Sequence, residues 1–294
     1  ASFDGEGSAR CVTPAARGVT GAVAVSLVHG DAVLVTSAAY VYHAEMHVIS
    51  VDPSAGVLSG GTVVHVRGQG FEPSARLLVS IGGAALVEAR VQSSTLFEVM
   101  VPAQAERGWF ALEVSRNGHD FTMDDVLFEY QTAARLDEIA PPRGPGTGGT
   151  SVAIIGDGFS RRSSLMGYTQ VRFNTTRVPA VWLSASELRA VAPGHAAGLV
   201  SVEVSQNDQQ YSGALRFEYE DVVAHSVEPG TGPVRGGTMV AVRGASVHGS
   251  HGVAGAFCKF SGVDVVAASF DGEGSARCVS PATRGVTGAV AVSP

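Results

Sequence analysis

The chain is 294 residues long, 45% hydrophobic and only 16% charged, with 37 glycines and a net charge of −7. That balance argues against nucleic-acid binding, which needs a basic patch: no Lys/Arg cluster exceeds Arg161-Arg162, and Lys259 is the one lysine, which all but excludes Lys–Asn isopeptide cross-links. No apolar run reaches the roughly 18 residues of a membrane-spanning helix, and few charges with abundant Val, Thr, Ser and Gly point to an all-β chain rich in turns.

Residues 1–26 and 268–293 are the same stretch written twice. They match at 24 of 26 positions, differing where Thr13 faces Ser280 and Ala16 faces Thr283. The chain therefore begins and ends in the same part of a repeating unit with a period of 267 residues. No signal peptide precedes Ala1, as in a mature or excerpted chain.

A shorter ruler lies inside that period. Gly-Gly-Thr recurs at Gly60, Gly148 and Gly236, 88 residues apart each time, and Pro53, Pro145 and Pro233 precede it. A turn is expected there, with Gly free to take positive φ. A strand follows that alternates through Val64/Val66, Val152/Ile154 and Val240/Val242. A later one alternates through Phe110/Leu112/Val114, Val200/Val202/Val204 and Val23/Val25, with Glu113 and Glu203 out of phase and facing solvent. Turns follow at His29-Gly30-Asp31, Asn117-Gly118 and Asn207-Asp208. The last strands end on aromatics, Ala38/Tyr40/Tyr42, Val126/Phe128/Tyr130 and Leu215/Phe217/Tyr219. Two sheets packed through these residues make a sandwich of about seven short strands.

The ordered set resembles the IPT/TIG family of immunoglobulin-like domains. It comprises Pro, Gly-Gly-Thr-x-Val-x-Val/Ile-x-Gly-x-Gly-Phe, a Cys-Val-Thr/Ser-Pro-Ala segment and a final Phe-x-Tyr. The module at 222–294 departs from it, with Gly244-Ala245-Ser246-Val247 where the others have Gly-Phe. The resemblance implies tandem β-sandwiches, and it leaves the function open. Residues 47–130 and 135–220 read as complete modules. Residues 222–294 read as a third that stops before its last strand, and 1–43 as the back half of that third type. The linkers around His43–His47 and Gln131–Ala134 are short, so a stiff, rod-like array is expected. The split module has two readings: an excerpt of a longer covalent array, or a subunit whose residues 27–43 complete a module of another copy.

Cys258 and Cys278 stand where the other modules have Val79/Val99 and Val171/Ala190. An apolar pair replaced by cysteines suits a buried disulfide, or else two buried thiols. Cys11 is the copy of Cys278, either unpaired or bonded across a junction. Asn174-Thr175-Thr176 is an N-glycosylation sequon with Asn174 facing out. Thr13-Pro14 and Ser280-Pro281 are weaker sites for O-glycans. His248 and His251 are a metal-like pair without a third ligand. Asp52, Asp124-Asp125 and Asp221 sit near junctions without the dense acidic loop that calcium needs. The glycine-rich Gly144–Gly149 and Gly156-Asp157-Gly158 lack the helix of a phosphate loop. Trp109 and Trp182 suit a core or rim better than a sugar platform. No catalytic constellation stands out, so the expectation is a non-enzyme without cofactor or metal. The chain is read as the repeat unit of an extracellular or cell-surface fibre that partners copies of itself, or, alternatively, as part of an adhesin or receptor ectodomain that binds a protein or glycan.

Overall fold

A computed structural model describes residues 2–3, 9–16, 18, 20–30, 32–72, 76–221, 223–245, 257–260, 265–270, 275–282 and 292–293. Strand follows strand; the helix among the described residues is Arg161–Leu165, capped by Ser160, whose side chain accepts from the Ser163 N–H.

The first sandwich faces a sheet ordered Arg90–Ser93, Leu96–Met100, Val63–Gln69, His47–Asp52 against one ordered Ala55–Val57, Leu127–Gln131, Gly108–Ser115, Leu78–Ile81, Val87–Glu88. The alternation read from the sequence decides which face is buried. In Val63–Gln69, Val64 and Val66 are wholly buried while His65 and Arg67 are exposed. Phe97, Val99, Leu112, Val114, Phe128 and Tyr130 close the core from both sheets. Each such side chain contributes roughly 1.5–3 kcal/mol of burial. The opening strand serves both sheets. His47–Asp52 pairs antiparallel with Val63–Gln69, the chain then crosses at Pro53, and Ala55–Val57 pairs parallel with Leu127–Gln131.

The second sandwich repeats this plan. Arg135–Ala140 pairs with Ser151–Asp157 in one sheet, and Arg143–Pro145 runs parallel to Tyr211–Glu220 in the other. Its core holds Val152, Ile154, Phe173, Val202, Phe217 and Tyr219. A third, smaller core of Val240, Val242, Cys258, Phe260 and Cys278 lies on strands between Val223 and Ser293.

One corner recurs three times. Gly60, Gly148 and Gly236 take φ of 73°, 78° and 72°. A Cβ on any of them would lie within 2.6 Å of the backbone at Pro102, Gly194 or Ser280. The next glycine donates its N–H to Val101, Ala192 or Ser280 at 2.8–2.9 Å. Only glycine permits both the conformation and the approach.

The duplicated stretch also keeps its pairing. Ser2 and Phe3 face Arg10 and Ala9, and their copies Ser269 and Phe270 face Arg277 and Ala276. Residues Gly21–His29 and Ala32–Tyr42 form a hairpin of their own.

Candidate functional site at the joint between two sandwiches

The linker between the first two sandwiches is Gln131–Ala134, the four residues between Tyr130 and Arg135. The geometry of the joint is set by side chains. The loop after Gly198–Ser205 reads Gln206-Asn207-Asp208-Gln209-Gln210, and it reaches back onto the Gly-Gly-Thr corner of the preceding sandwich.

Asn207 organises the loop. It is 4% exposed. Its carbonyl oxygen accepts from Ser205 Oγ at 3.1 Å and from the N–H groups of Gln209 and Gln210 at 3.1 and 3.0 Å. Its Nδ2 donates to Thr62 Oγ1 at 3.1 Å and to Gln210 Oε1 at 2.5 Å. Thr62 in turn donates to Gln210 Oε1 at 2.9 Å, and Gln210 Nε2 donates to the Gly61 carbonyl at 3.0 Å. Gln209 grips the backbone of Val63 at both ends: Oε1 accepts from its N–H at 2.8 Å and Nε2 donates to its carbonyl at 2.7 Å. The primary amide therefore pairs with Val63 as a neighbouring strand would.

The other side of the joint uses the short helix. Tyr168 Oη donates to Asp52 Oδ1 at 2.6 Å and accepts from the Ser54 N–H at 3.4 Å. Burial, and then the bond to Asp52, raises the Tyr168 pKa and keeps the phenol a donor. Arg162 lies over the Trp109 ring at 4.4 Å and 3.6 Å from Glu129. Gln131, in the linker, donates to Ser160 Oγ at 3.1 Å and accepts from Ser163 Oγ at 3.2 Å.

Among the described residues, seven hydrogen bonds cross from one sandwich to the other besides the two made by Gln131. At about 1 kcal/mol net each, they are comparable to the entropy of ordering a four-residue linker at about 1–2 kcal/mol per residue. The joint's chemistry is mechanical: mostly neutral amides, directional and little affected by salt.

A titratable pair lies within the first sandwich, at its opening strand. His47 Nδ1 lies 3.0 Å from Asp124 Oδ1, and Asp124 Oδ2 accepts from the Val48 N–H at 2.7 Å. The bond to Asp124, then its charge, raises the His47 pKa; the same bond and the Val48 N–H lower that of Asp124.

Cys258 and Cys278 are both buried and bonded, with Cα atoms 6.3 Å apart. Cys11 is free and exposed. Asn174 is exposed at the turn between Gln170–Phe173 and Thr176–Pro179, with φ of 53°. Trp182 is half-buried and donates to the Phe159 carbonyl at 3.0 Å. Trp109 lies at the joint under Arg162, and Asp52 holds Tyr168 there. His248 and His251 lie outside the described residues. Among the described residues no group of three or more His, Cys, Asp and Glu gathers as a metal site, and no helix is long and apolar enough to cross a membrane. The joint itself was legible in the sequence only as a turn at Asn207-Asp208; the clue was the amide-rich run from Gln206 to Gln210.

Comparison with known proteins gives relatives over parts of the chain. Fibrocystin-L of Mus musculus is 32% identical over 133 residues, which is 44% of this chain and 3% of that protein. Plexin-2 of Caenorhabditis briggsae is 29% identical over 113 residues, 38% of this chain and 6% of that protein. The chain thus spans only a small part of the length of these relatives. The plexin A4 extracellular region superposes with a TM-score of 0.53 at 22% identity, over 82% of this chain and 21% of that one, and this likeness speaks to fold. The IPT/TIG domain profile matches residues 46–130 and 134–219. These two segments make up more than half of the chain, which belongs to the IPT/TIG domain family.

Proposed function

We propose that this chain is a segment of an extracellular or cell-surface ectodomain, a non-catalytic stalk of tandem IPT/TIG sandwiches that sets the distance and orientation of ligand-binding surfaces. The observation that carries the reading is the clamp of Asn207, Gln209 and Gln210 on Gly61–Val63. A stalk with freely jointed domains has no use for seven directed bonds at one joint. The Cys258–Cys278 bond supports an oxidising compartment, and the plexin relatives support an ectodomain over a free-standing subunit. The ligand in this reading is a protein or a glycan.

The test is a distance distribution between spin labels at two exposed positions, one on each of the first two sandwiches. A narrow single distance is expected, and the double variant Gln209→Ala/Gln210→Ala should broaden it severalfold while each sandwich stays folded. An already broad distribution in the unaltered chain would remove the basis for the stalk.

The fibre reading rests on a separate observation, the copy of 1–26 at 268–293. It calls for such units to follow one another, either head to tail as separate copies or within one longer covalent array.

A further inference from the structure

The turn at Asn117-Gly118 in the first sandwich holds reactive groups as well as a shape. Gly118 follows Asn117 directly, so attack of its nitrogen on the Asn117 side-chain carbonyl carbon closes a five-membered ring. Ser115 is buried and bridges the two groups. The Gly118 N–H donates to Ser115 Oγ at 2.9 Å, and Ser115 Oγ donates to Asn117 Oδ1 at 3.1 Å. The same Oδ1 accepts from the N–H groups of His119 and Asp120, each at 2.9 Å. Three donors on one amide oxygen polarise its carbon and stabilise negative charge that develops on the oxygen. The Nδ2 of that amide donates to Asp120 Oδ2 at 2.7 Å. A nucleophilic nitrogen, a hydroxyl relay, a polarised carbonyl and a carboxylate on the departing nitrogen thus meet within six residues, 115–120.

The second sandwich supplies the comparison. Asn207 Oδ1 accepts from Ser205 Oγ at 3.1 Å and from the N–H groups of Gln209 and Gln210 at 3.1 and 3.0 Å, so the loop is the same. Three features differ. The residue after Asn207 is Asp208, whose side chain crowds the nitrogen. Ser205 Oγ accepts from the Asn207 N–H at 3.3 Å but, among the described residues, not from that of Asp208. The neutral Gln210 amide stands in place of the Asp120 carboxylate. Asp208 takes φ of 56° and Gly118 takes 74°, so a glycine is not demanded by the turn.

We propose that Asn117-Gly118 is a self-modification site, at which the folded loop converts the Asn117 amide to a carboxylate through a cyclic imide. Gly118 N bonds to Asn117 Cγ while its proton passes to Ser115 Oγ and the Ser115 hydroxyl proton passes to Oδ1. The hydroxyl so formed gives its proton to Nδ2, whose bond to Asp120 keeps it basic. The Cγ–Nδ2 bond breaks with its electron pair on nitrogen, and ammonia leaves. Water then opens the imide at either carbonyl and leaves a carboxylate on an aspartyl or isoaspartyl linkage. No oxidant or reductant enters. The product faces Asp120 with a second carboxylate where an N–H donor stood, so attraction turns to repulsion and the loop opens. The proposal goes beyond the ectodomain reading, which would stand if it failed.

The experiment is a timed incubation of the whole chain at neutral pH, with digestion and mass spectrometry reading the change from amide to acid at Asn117 and at Asn207. A parallel sample unfolded in urea reports the rate without the loop. Asn117 should convert about tenfold faster in the folded chain than in urea, a modest share of what positioned proton transfer contributes, while Asn207 stays an amide. Ser115→Ala should remove that acceleration. Gly118→Asp copies the second sandwich, and a Cβ there lies in ordinary contact with Leu78 Cδ1 at 3.4 Å; it should slow conversion to the level of Asn207. Conversion slower in the folded chain than in urea would show that the loop protects its amide, and equal rates would show that the fold adds nothing. Either result overturns the proposal, as does a folded Ser115→Ala chain that converts at the unaltered rate.

Discussion

Thr62 and Thr150 occupy the same place in two sandwiches, and both are 0% exposed. Thr62 Oγ1 exchanges hydrogen bonds with Asn207 and Gln210, whereas Thr150 Oγ1 has no partner among the described residues. The difference comes from which neighbour lies against each corner, and the threonines themselves are set alike. The His47–Asp124 pair likewise acts locally. The raised His47 pKa means that its contribution is fully present below the usual histidine value and is lost as pH rises through the higher folded value. The lowered Asp124 pKa means that its contribution is present above the usual carboxylate value and lost as pH falls through the depressed one. In an NMR titration, Asp124→Asn should bring the His47 ring pKa back down toward 6.5. An unchanged His47 titration would rule out the pair. At Asn174 the turn holds the side chain in solvent. Expression through a secretory pathway should add a mass that N-glycosidase removes and that Asn174→Gln abolishes. A protein of unmodified mass from such cells would exclude a glycan there.

At the scale of the element, the Gly-Gly-Thr corner shows two glycines with different duties. Gly148 has φ of 78° and a Cβ there would lie 2.5 Å from Gly194 N; Gly149 has φ of 88° with nothing within 4 Å. Gly149→Ala should therefore cost only left-handed strain, about 1–2 kcal/mol. Gly148→Ala adds a backbone clash and should exceed about 3 kcal/mol. Urea denaturation of the two variants checks the order, and equal losses would mean that the corner relaxes freely. The strands themselves were legible because an alternation of period two states which side faces the core. Val64 and Val66 need no distant information to be assigned inward. Cys258 and Cys278 were legible by a different route, since register along three copies maps them onto buried Val79 and Val99.

Over the whole molecule, two complete sandwiches are joined by amides and a third is represented by strands at both ends of the chain. Because the crossing bonds at the joint are mainly neutral, the narrow distance distribution expected between the first two sandwiches should survive a salt increase from about 0.1 to about 1 M, over which the Debye length falls from about 10 to about 3 Å. A distribution that broadens with salt would shift the weight to Arg162 and Glu129.

The sequence by itself determined the sandwich fold and its family, because alternation, glycine corners and terminal aromatics are local patterns that recur at a constant spacing. It also determined that Cys11 and Cys278 are copies. Only the tertiary structure decided how one sandwich sits on the next. Asn207 and Thr62 lie 145 residues apart and meet through the orientation of two folded bodies. No period along the chain encodes that meeting, since a side chain that crosses a joint answers to the surface opposite it and not to its neighbours in sequence.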